Sequence, residues 1–225
     1  EKERGGVTPR AGGTISLARL SEAIPKAARK EYEKGAKESR KGNPQKAISH
    51  FQRALALHPR YVQALNDLGV QYLRLNQLAE ARAAFQRAIE VDPQAPHPHV
   101  NLGFLHLLQR EPEAALTSLR QAVTLDPTNW SARMLHGIAL MQTGDLERAQ
   151  AELERAISLG PPPTSSIVRL HLANLFLRRG EYARALEQSE KYLEEVPNAA
   201  NAAEVRERVR RLRELIRAQE RPPHP

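Results

Sequence analysis

Residues 62–95 read VQALNDLGVQYLRLNQLAEARAAFQRAIEVDPQA, and this stretch decides the fold. Apolar residues recur in it every three or four positions, which is the spacing of one face of an α-helix. Gly69 and Ala81 are small at the places where two helices must approach closely, and Phe85 fills the space beside that crossing. Pro93 ends the second helix, because proline lacks an N–H and clashes with the preceding turn. The stretch therefore predicts two helices joined by a short turn.

The same pattern recurs along the chain with a period of 34 residues. This register predicts five copies, at 28–61, 62–95, 96–129, 130–163 and 166–199. The last step is 36 residues, and its two extra residues lie in Pro161–Ser165, for which we predict a stiff polyproline-type connector. In the first copy charged residues replace three apolar ones, and Tyr32 stands one place late for the usual aromatic.

This pattern resembles the tetratricopeptide repeat, a helix-turn-helix unit of 34 residues. The residues that carry the resemblance in the second copy are Leu65, Leu68, Gly69, Tyr72, Ala81, Phe85, Ala88 and Pro93. The resemblance implies an all-α fold, a right-handed solenoid of five tetratricopeptide helix pairs, because a single pair leaves apolar faces that only a neighbour covers.

Two segments flank the predicted array. Residues 1–27 are glycine-rich and predict a linker or extended segment. Within it we expect a short strand or extended strip over Thr14–Leu20, and a helix that begins near Pro25. Residues 200–225 predict a capping helix, from about residue 201 to 217, and a proline-rich tail. One apolar stripe on that helix would cover the last pair, and its other faces are rich in arginine and glutamate.

The net charge of +8 lies at the two ends of the chain. Residues 1–41 hold 11 lysines and arginines against 6 acidic residues, residues 200–225 hold 7 against 4, and the region between holds 16 of each. A nucleic-acid surface usually crosses the folded body, so solubilising ends are the favoured interpretation and nucleic acid is an unlikely partner. The absence of cysteine excludes disulfides and thiolate chemistry, and no apolar run is long enough to span a membrane.

No catalytic or metal-binding signature stands out in the sequence. His97, His99 and His106 form a local cluster, but the last two are seven residues apart, whereas two ligands on one helix need a spacing of four. His136 takes a position that is apolar in the second, third and fifth copies, so we expect a buried histidine with satisfied hydrogen bonds. We therefore expect a non-enzyme without a cofactor or metal.

In a tetratricopeptide solenoid the first helix of each pair lines the concave face, and the resemblance implies that positions 2, 5, 9, 12 and 13 of each repeat meet ligands. These positions are unusually apolar here and are flanked by arginines. The predicted groove residues are Val70, Leu73, Arg74, Val100, Phe104, Leu107, Met134, Ile138, Met141, Leu170, Asn174 and Arg178. The alternative, that many of them pack between neighbouring helices, stays open at this stage.

The resemblance also suggests a known ligand mode, a carboxylate clamp for the C-terminal tails of chaperones. Of the five clamp residues only Asn101 matches. The other four positions need lysine, asparagine, lysine and arginine, and they hold Asn66, Val70, Ser131 and Leu135. We therefore expect a protein-interaction scaffold that binds another partner segment in its groove. The alternative is a nucleic-acid- or polyanion-binding module that uses the basic ends.

The N-terminal stretch bears on the source of the chain. Residues 13–42 resemble the join between an immunoglobulin-like regulatory domain and a repeat array in large bacterial exported proteins. We accordingly expect a bacterial protein, in an exported or periplasmic location or in the cytoplasm. The chain begins at Glu1 without a methionine, which suggests a fragment or a processed product.

Overall fold

The computed structural model describes residues 23–220, which fold into eleven α-helices with no strand among them. The first ten form five pairs, in which the first helix is called A and the second B. The A helices are α1 (Lys26–Arg40), α3 (Val62–Arg74), α5 (Pro96–Leu108), α7 (Trp130–Thr143) and α9 (Ile167–Arg178). The B helices are α2 (Pro44–Leu57), α4 (Leu78–Val91), α6 (Pro112–Leu125), α8 (Leu146–Leu159) and α10 (Tyr182–Glu195), and α11 (Ala202–Glu220) follows. The predicted all-α array of five helix pairs and one further helix is confirmed.

In the first four pairs the helices cross where a glycine on helix A faces a large residue on helix B. A Cβ atom placed on Gly69 would lie 2.5 Å from the Phe85 ring, which is completely buried. The same clash would arise between Gly35 and Phe51 in the first pair. In the third and fourth pairs a leucine replaces the phenylalanine, and it again lies too close to the glycine for any side chain to fit there. These glycines therefore set the distance between the two helices of a pair.

The fifth pair reverses this arrangement of sizes. Ala173 takes the place of the glycine, and Ser189 takes the place of the large residue; both are buried. The missing volume is made up one turn later by Tyr192, which is also buried and whose hydroxyl donates to Asn201 Oδ1 at 2.6 Å. Tyr192 packs with Val205 of α11, so the altered packing of this pair is tied to the helix that follows it.

The turn between helices A and B contains a left-handed residue in every pair. Glycine fills this position in the first, fourth and fifth pairs, and Asn76 and Arg110 fill it in the second and third, with φ of 57° and 59°. Only glycine adopts such angles at no steric cost, and asparagine tolerates them better than arginine does. Arg110 therefore holds a strained conformation that the turn imposes.

The two ends of the array differ from its middle. Helix α1 begins directly after Pro25, as predicted, and the Tyr32 ring packs against Phe51 with 5.6 Å between centroids. At the other end α11 extends to Glu220, three residues beyond the prediction, because the next proline in the sequence is Pro222. Residues 1–22 and 221–225, including the predicted strip over Thr14–Leu20, lie outside the described residues.

The connector between α8 and α9 is not the polyproline segment that we predicted. A polyproline II helix has no internal hydrogen bonds. Here Ser165 N donates to Pro161 O at 3.2 Å, and Ser166 N donates to Pro163 O at 3.1 Å. The segment is therefore a series of turns, held together because Ser165 is buried and its hydroxyl donates to Gly160 O at 2.9 Å.

Candidate partner-binding groove

The inner face of the array is formed by the A helices. Each A helix lies close to the A helix of the next pair from α1 to α9, whereas the backbones of successive B helices lie farther apart among the described residues. Glu154 on α8 and Arg184 on α10 meet only through the ends of their side chains, at 3.9 Å. Helices that lie closer together are on the inner side of a curved stack. The surface that α3, α5, α7 and α9 share is therefore concave, which is the arrangement that solenoids use to bind partners.

Hydrogen bonds also link successive A helices. Asn101 Nδ2 on α5 donates to Asn66 Oδ1 on α3 at 2.8 Å. Arg178 on α9 donates to the carbonyl oxygen of Met141 on α7 at 2.8 Å. Arg208 of α11 donates to Asn174 on α9 at 3.0 Å, so α11 continues the series. These bonds hold the side chains of the inner face in register along the stack.

The twelve predicted groove residues all lie on these A helices but differ in exposure. The exposed ones are Arg74, Phe104 and Arg178; the half-buried ones are Val70, Leu73, Val100, Leu107, Met134, Ile138 and Asn174; Met141 and Leu170 are buried. The alternative that some of these residues are core therefore holds for part of the set.

The half-buried leucines at position 12 pack between neighbouring A helices. Leu73 contacts the cluster that contains Leu105 of the next A helix, and Leu107 contacts the cluster that contains Ala139. A side chain held in this way supplies the floor of the groove. Contacts with a partner fall mainly to the residues above it.

Met141 and Leu170 differ from the open positions predicted for them. Met141 is 7% exposed and belongs to the cluster that contains Leu172 of α9. Leu170 is 8% exposed because it is covered by Tyr192 of α10 and by Val205 of α11. Both residues support the groove from beneath, and neither is free to contact a partner side chain.

The most open apolar part of the inner face lies on α5. Phe104 is 39% exposed and Leu108, one helical turn further on, is 53% exposed. Leu108 was not among the predicted groove residues. The sequence could have indicated it, because it takes the position that Arg74 and Arg178, both predicted for the groove, take in the second and fifth pairs. We call the surface formed by six of these side chains the inner groove: Val70, Val100, Phe104, Leu108, Met134 and Ile138.

The two arginines predicted to flank the groove also have structural partners. Arg74 Nη1 donates to the carbonyl oxygen of Ser39 at 3.0 Å, and Arg178 Nη1 donates to that of Met141 at 2.8 Å. A guanidinium has five N–H donors, so these bonds leave donors on both groups. Their positive charges lie where the A helices end.

A polar cluster that sequence reasoning missed lies in the first half of the A helices, toward the edge where these helices begin. The hydroxyl of Tyr32 donates to Asp67 Oδ2 at 2.8 Å, and Asn66 Nδ2 lies 3.2 Å from Asp67 Oδ1. Asn66 in turn accepts from Asn101 on α5. Burial, and then the hydrogen bond to Asp67, raises the pKa of Tyr32, so its hydroxyl keeps its proton and remains a donor.

The histidines have structural neighbours, and no group of three or more potential metal ligands is present among the described residues. His106 Nδ1 lies 2.6 Å from Glu111, and His99 Nε2 lies 3.1 Å from the carbonyl oxygen of Pro93. His136 differs from the prediction, since its buried Nδ1 has no hydrogen-bond partner in the described structure and lies 3.6 Å from Glu152. The reason is that Glu152 is turned toward Arg133, at 2.9 Å.

Comparison with known proteins settles the family. A sequence model of the tetratricopeptide repeat matches residues 32–96, 66–130, 100–162 and 134–200, which is most of the chain. The chain belongs to the tetratricopeptide repeat family. Its four matches step along the chain by 34 residues, the period from which the five pairs were predicted.

Solved structures of other tetratricopeptide repeat proteins have the same fold. TTC0263 of Thermus thermophilus is 23% identical with a TM-score of 0.65, and the match covers 83% of this chain and 98% of that one. MamA of Desulfovibrio magneticus RS-1 is 20% identical with a TM-score of 0.68, over 79% and 99%. YrrB, a tetratricopeptide repeat protein with an unusual peptide-binding site, is 20% identical with a TM-score of 0.63, over 83% and 98%. A search of curated protein sequences finds no match.

Tetratricopeptide repeat arrays serve as scaffolds for protein–protein interaction and are typically not catalytic, and this chain has their architecture. Among residues 23–220 no helix has the length and apolar character needed to cross a bilayer. The identity of a partner depends on the inner face rather than on the fold.

Proposed function

We propose that this tetratricopeptide array is a non-catalytic scaffold that binds an apolar segment of a partner protein in its inner groove. The observation that carries the proposal is the exposure of Phe104 and Leu108, one turn apart on the concave side of α5. Large apolar side chains that stand together in a concavity mark binding sites more often than isolated ones do.

The groove contains enough apolar side chains to support micromolar binding of a partner segment. Fully desolvating a large apolar side chain contributes about 1.5–3 kcal/mol. Micromolar binding corresponds to about 8 kcal/mol, and association has costs of its own. Several anchors at once are therefore required, and Val100, Met134 and Ile138 beside the two exposed residues supply them.

The charges at the edge of the groove add a preference for orientation. Arg74 and Arg178 place positive charge where the A helices end. A partner that carries acidic groups there gains charge-assisted contacts with the remaining guanidinium donors. YrrB carries a peptide-binding site on an array of the same fold, which is consistent with this use of the surface.

The alternative, a polyanion-binding module, draws less support from the described residues. Several arginines of α11 already have carboxylate partners, since Arg210 and Arg211 share Glu207, and Arg213 pairs with Glu190 at 2.6 Å. Charges that are already paired attract phosphates weakly. The apolar groove is thus the better candidate.

The test is selection of peptides from a random display library on the full chain, followed by affinity measurement with labelled synthetic peptides. We expect the selected peptides to carry apolar anchors and to bind at micromolar concentrations. The double variant Phe104→Glu with Leu108→Glu should weaken binding at least tenfold with an unchanged circular dichroism spectrum. Leu57→Glu is the matched control, since Leu57 is 49% exposed but lies on a B helix.

Salt distinguishes the two functions. Binding to phosphates loses affinity steeply between about 50 and 200 mM salt, whereas binding to an apolar groove changes little. Peptides that bind the double variant as well as they bind the unmodified chain would refute the groove, and a failure to select any peptide would refute it as well.

A further inference from the structure

A cleft of about 1040 Å³ lies beside the inner groove, at the edge where the A helices of the first three pairs begin. Its walls include Tyr32 from the first pair, Tyr61 and Asp67 from the second, and the loop from Val91 to Pro98 that leads into the third. The first three helix pairs therefore all contribute to this cleft.

Asp67 is the charged group at the centre of the polar cluster in this cleft. Its two oxygens accept from the Tyr32 hydroxyl and the Asn66 amide, both of which are neutral donors. Among residues 23–220 no lysine, arginine or histidine forms an ion pair with it, although eighteen such pairs occur elsewhere in that range. The carboxylate thus keeps its capacity to accept a bond from a cation.

The other charged groups of the cleft are already engaged. Glu90 pairs with Arg87 at 2.8 Å, and Asp92 accepts from the backbone N–H of Gln94 at 3.0 Å. Arg60, the one guanidinium in the described wall, is directed to the carbonyl oxygen of Val91 at 3.4 Å. With the charge of Glu90 offset by Arg87, the carboxylates of Asp67 and Asp92 still outnumber the one guanidinium, which makes the cleft a favourable environment for a positive charge.

The aromatic residues of the cleft suit the stem of a long basic side chain. The rings of Tyr32 and Tyr61 pack with 4.9 Å between their centroids, and His58 lies against Tyr61 at 6.2 Å. Lysine and arginine pack their methylene stems on apolar surface while the charged head reaches a polar partner, and aromatic faces attract cations. A carboxylate beside aromatic rings therefore selects for lysine or arginine over a small cation.

The cleft and the inner groove are connected through the hydrogen-bonded asparagines. Asn66 is adjacent to Asp67, and Asn101 on α5 is three residues before Phe104, hence on the same face of that helix. Packed helices lie about 8–10 Å apart, and an extended chain advances about 3.3 Å per residue. The residues of a segment that reach these two features are therefore about three positions apart in its sequence.

From this geometry we infer that the partner segment carries a lysine or arginine about three residues from its apolar anchor, and that this basic side chain enters the cleft and pairs with Asp67. The inference rests on the proposed function, because it specifies the segment that the inner groove binds. A basic residue of the partner thus binds at Asp67, and acidic residues of the partner bind at the opposite edge, beside Arg74 and Arg178.

The test is to select binders from one random peptide library in parallel on three proteins. These are the unmodified full chain, the variant Asp67→Asn and the variant Glu113→Gln. Asparagine keeps the size of the side chain and an oxygen that accepts from Tyr32. Glu113 is exposed on helix α6, so Glu113→Gln removes one negative charge away from the cleft and serves as the control. We expect the unmodified chain and the control to enrich a basic residue beside apolar anchors, and Asp67→Asn to enrich the anchors alone.

A selected peptide then gives the quantitative check. Replacing its basic residue by glutamine should lower affinity for the unmodified chain roughly tenfold, the effect of one charge-assisted hydrogen bond, and should change affinity for Asp67→Asn little. Apolar peptides without a basic preference, or a preference that survives Asp67→Asn, would overturn this inference and leave the proposed function standing. A library that yields no binder at all would overturn both.

Discussion

Gly69→Ala tests the close approach of helices A and B in the second pair. Alanine is the better helix former by about 1 kcal/mol, so in an open helix this change would stabilise the protein. Here the new methyl carbon would lie 2.5 Å from Cε1 and 2.7 Å from Cδ1 of the Phe85 ring. The ring is completely buried, so it cannot turn out into solvent to relieve the contact. Overpacking of this kind costs about 1–3 kcal/mol, so we expect a net destabilisation of up to about 2 kcal/mol.

The same substitution should change sign when the ring is removed. Phe85→Ala alone should cost about 3–5 kcal/mol, because it leaves a cavity at a fully buried site. In that background the methyl group of Gly69→Ala meets no ring and fills part of the cavity, and its helix propensity is gained in full. The double variant should therefore be more stable than Phe85→Ala by about 1 kcal/mol or more.

Urea denaturation followed by circular dichroism measures all four proteins of this cycle. If the glycine sets the distance between the helices, Gly69→Ala lowers the midpoint in the unmodified background and raises it in the Phe85→Ala background. If Gly69→Ala stabilises both backgrounds, or if its effects are equal in both, the glycine does not set the distance between the helices.

Three further changes test other parts of the structure. Deleting residues 201–225 uncovers Leu193 and its neighbours on the last pair, so we expect a lower melting temperature and concentration-dependent association in analytical ultracentrifugation; a monomer of unchanged stability would contradict the capping role of α11. Arg110→Gly relieves a residue at φ 59° and should raise the free energy of unfolding by about 0.5–1 kcal/mol in urea titration, whereas a lower midpoint would exclude strain at this turn. His136 and Arg133 lower the pKa of Glu152, so this carboxylate stabilises the fold above its unfolded pKa, near 4.3, and loses that contribution as the pH falls through its lower folded value. Glu152→Gln should accordingly show a smaller loss of stability than the unmodified chain between about pH 5 and pH 3, and equal losses would refute the link.

Much of the candidate site followed from the register of the repeat. Position 9 of the third repeat predicted Phe104 on the inner face, and the structure places it there with part of its ring exposed. Leu108 lay within reach of the same reasoning, since it stands where Arg74 and Arg178 do in other repeats. Asp67 and its partner Tyr32 were missed, because they are 35 residues apart and only the stacking of two pairs brings them together.

The sequence by itself determined the number of pairs, their register and the small residues at their crossings. These features follow from local spacing, since a helix places every third or fourth residue on one face and proline ends it. The tertiary structure alone decided which inner residues remain open. Met141 is buried by α9 and Leu170 by α11, so their exposure depends on neighbours in space that no local pattern specifies. The same reason applies to the turns of Pro161–Ser165, whose conformation depends on the burial of Ser165 against the rest of the fold.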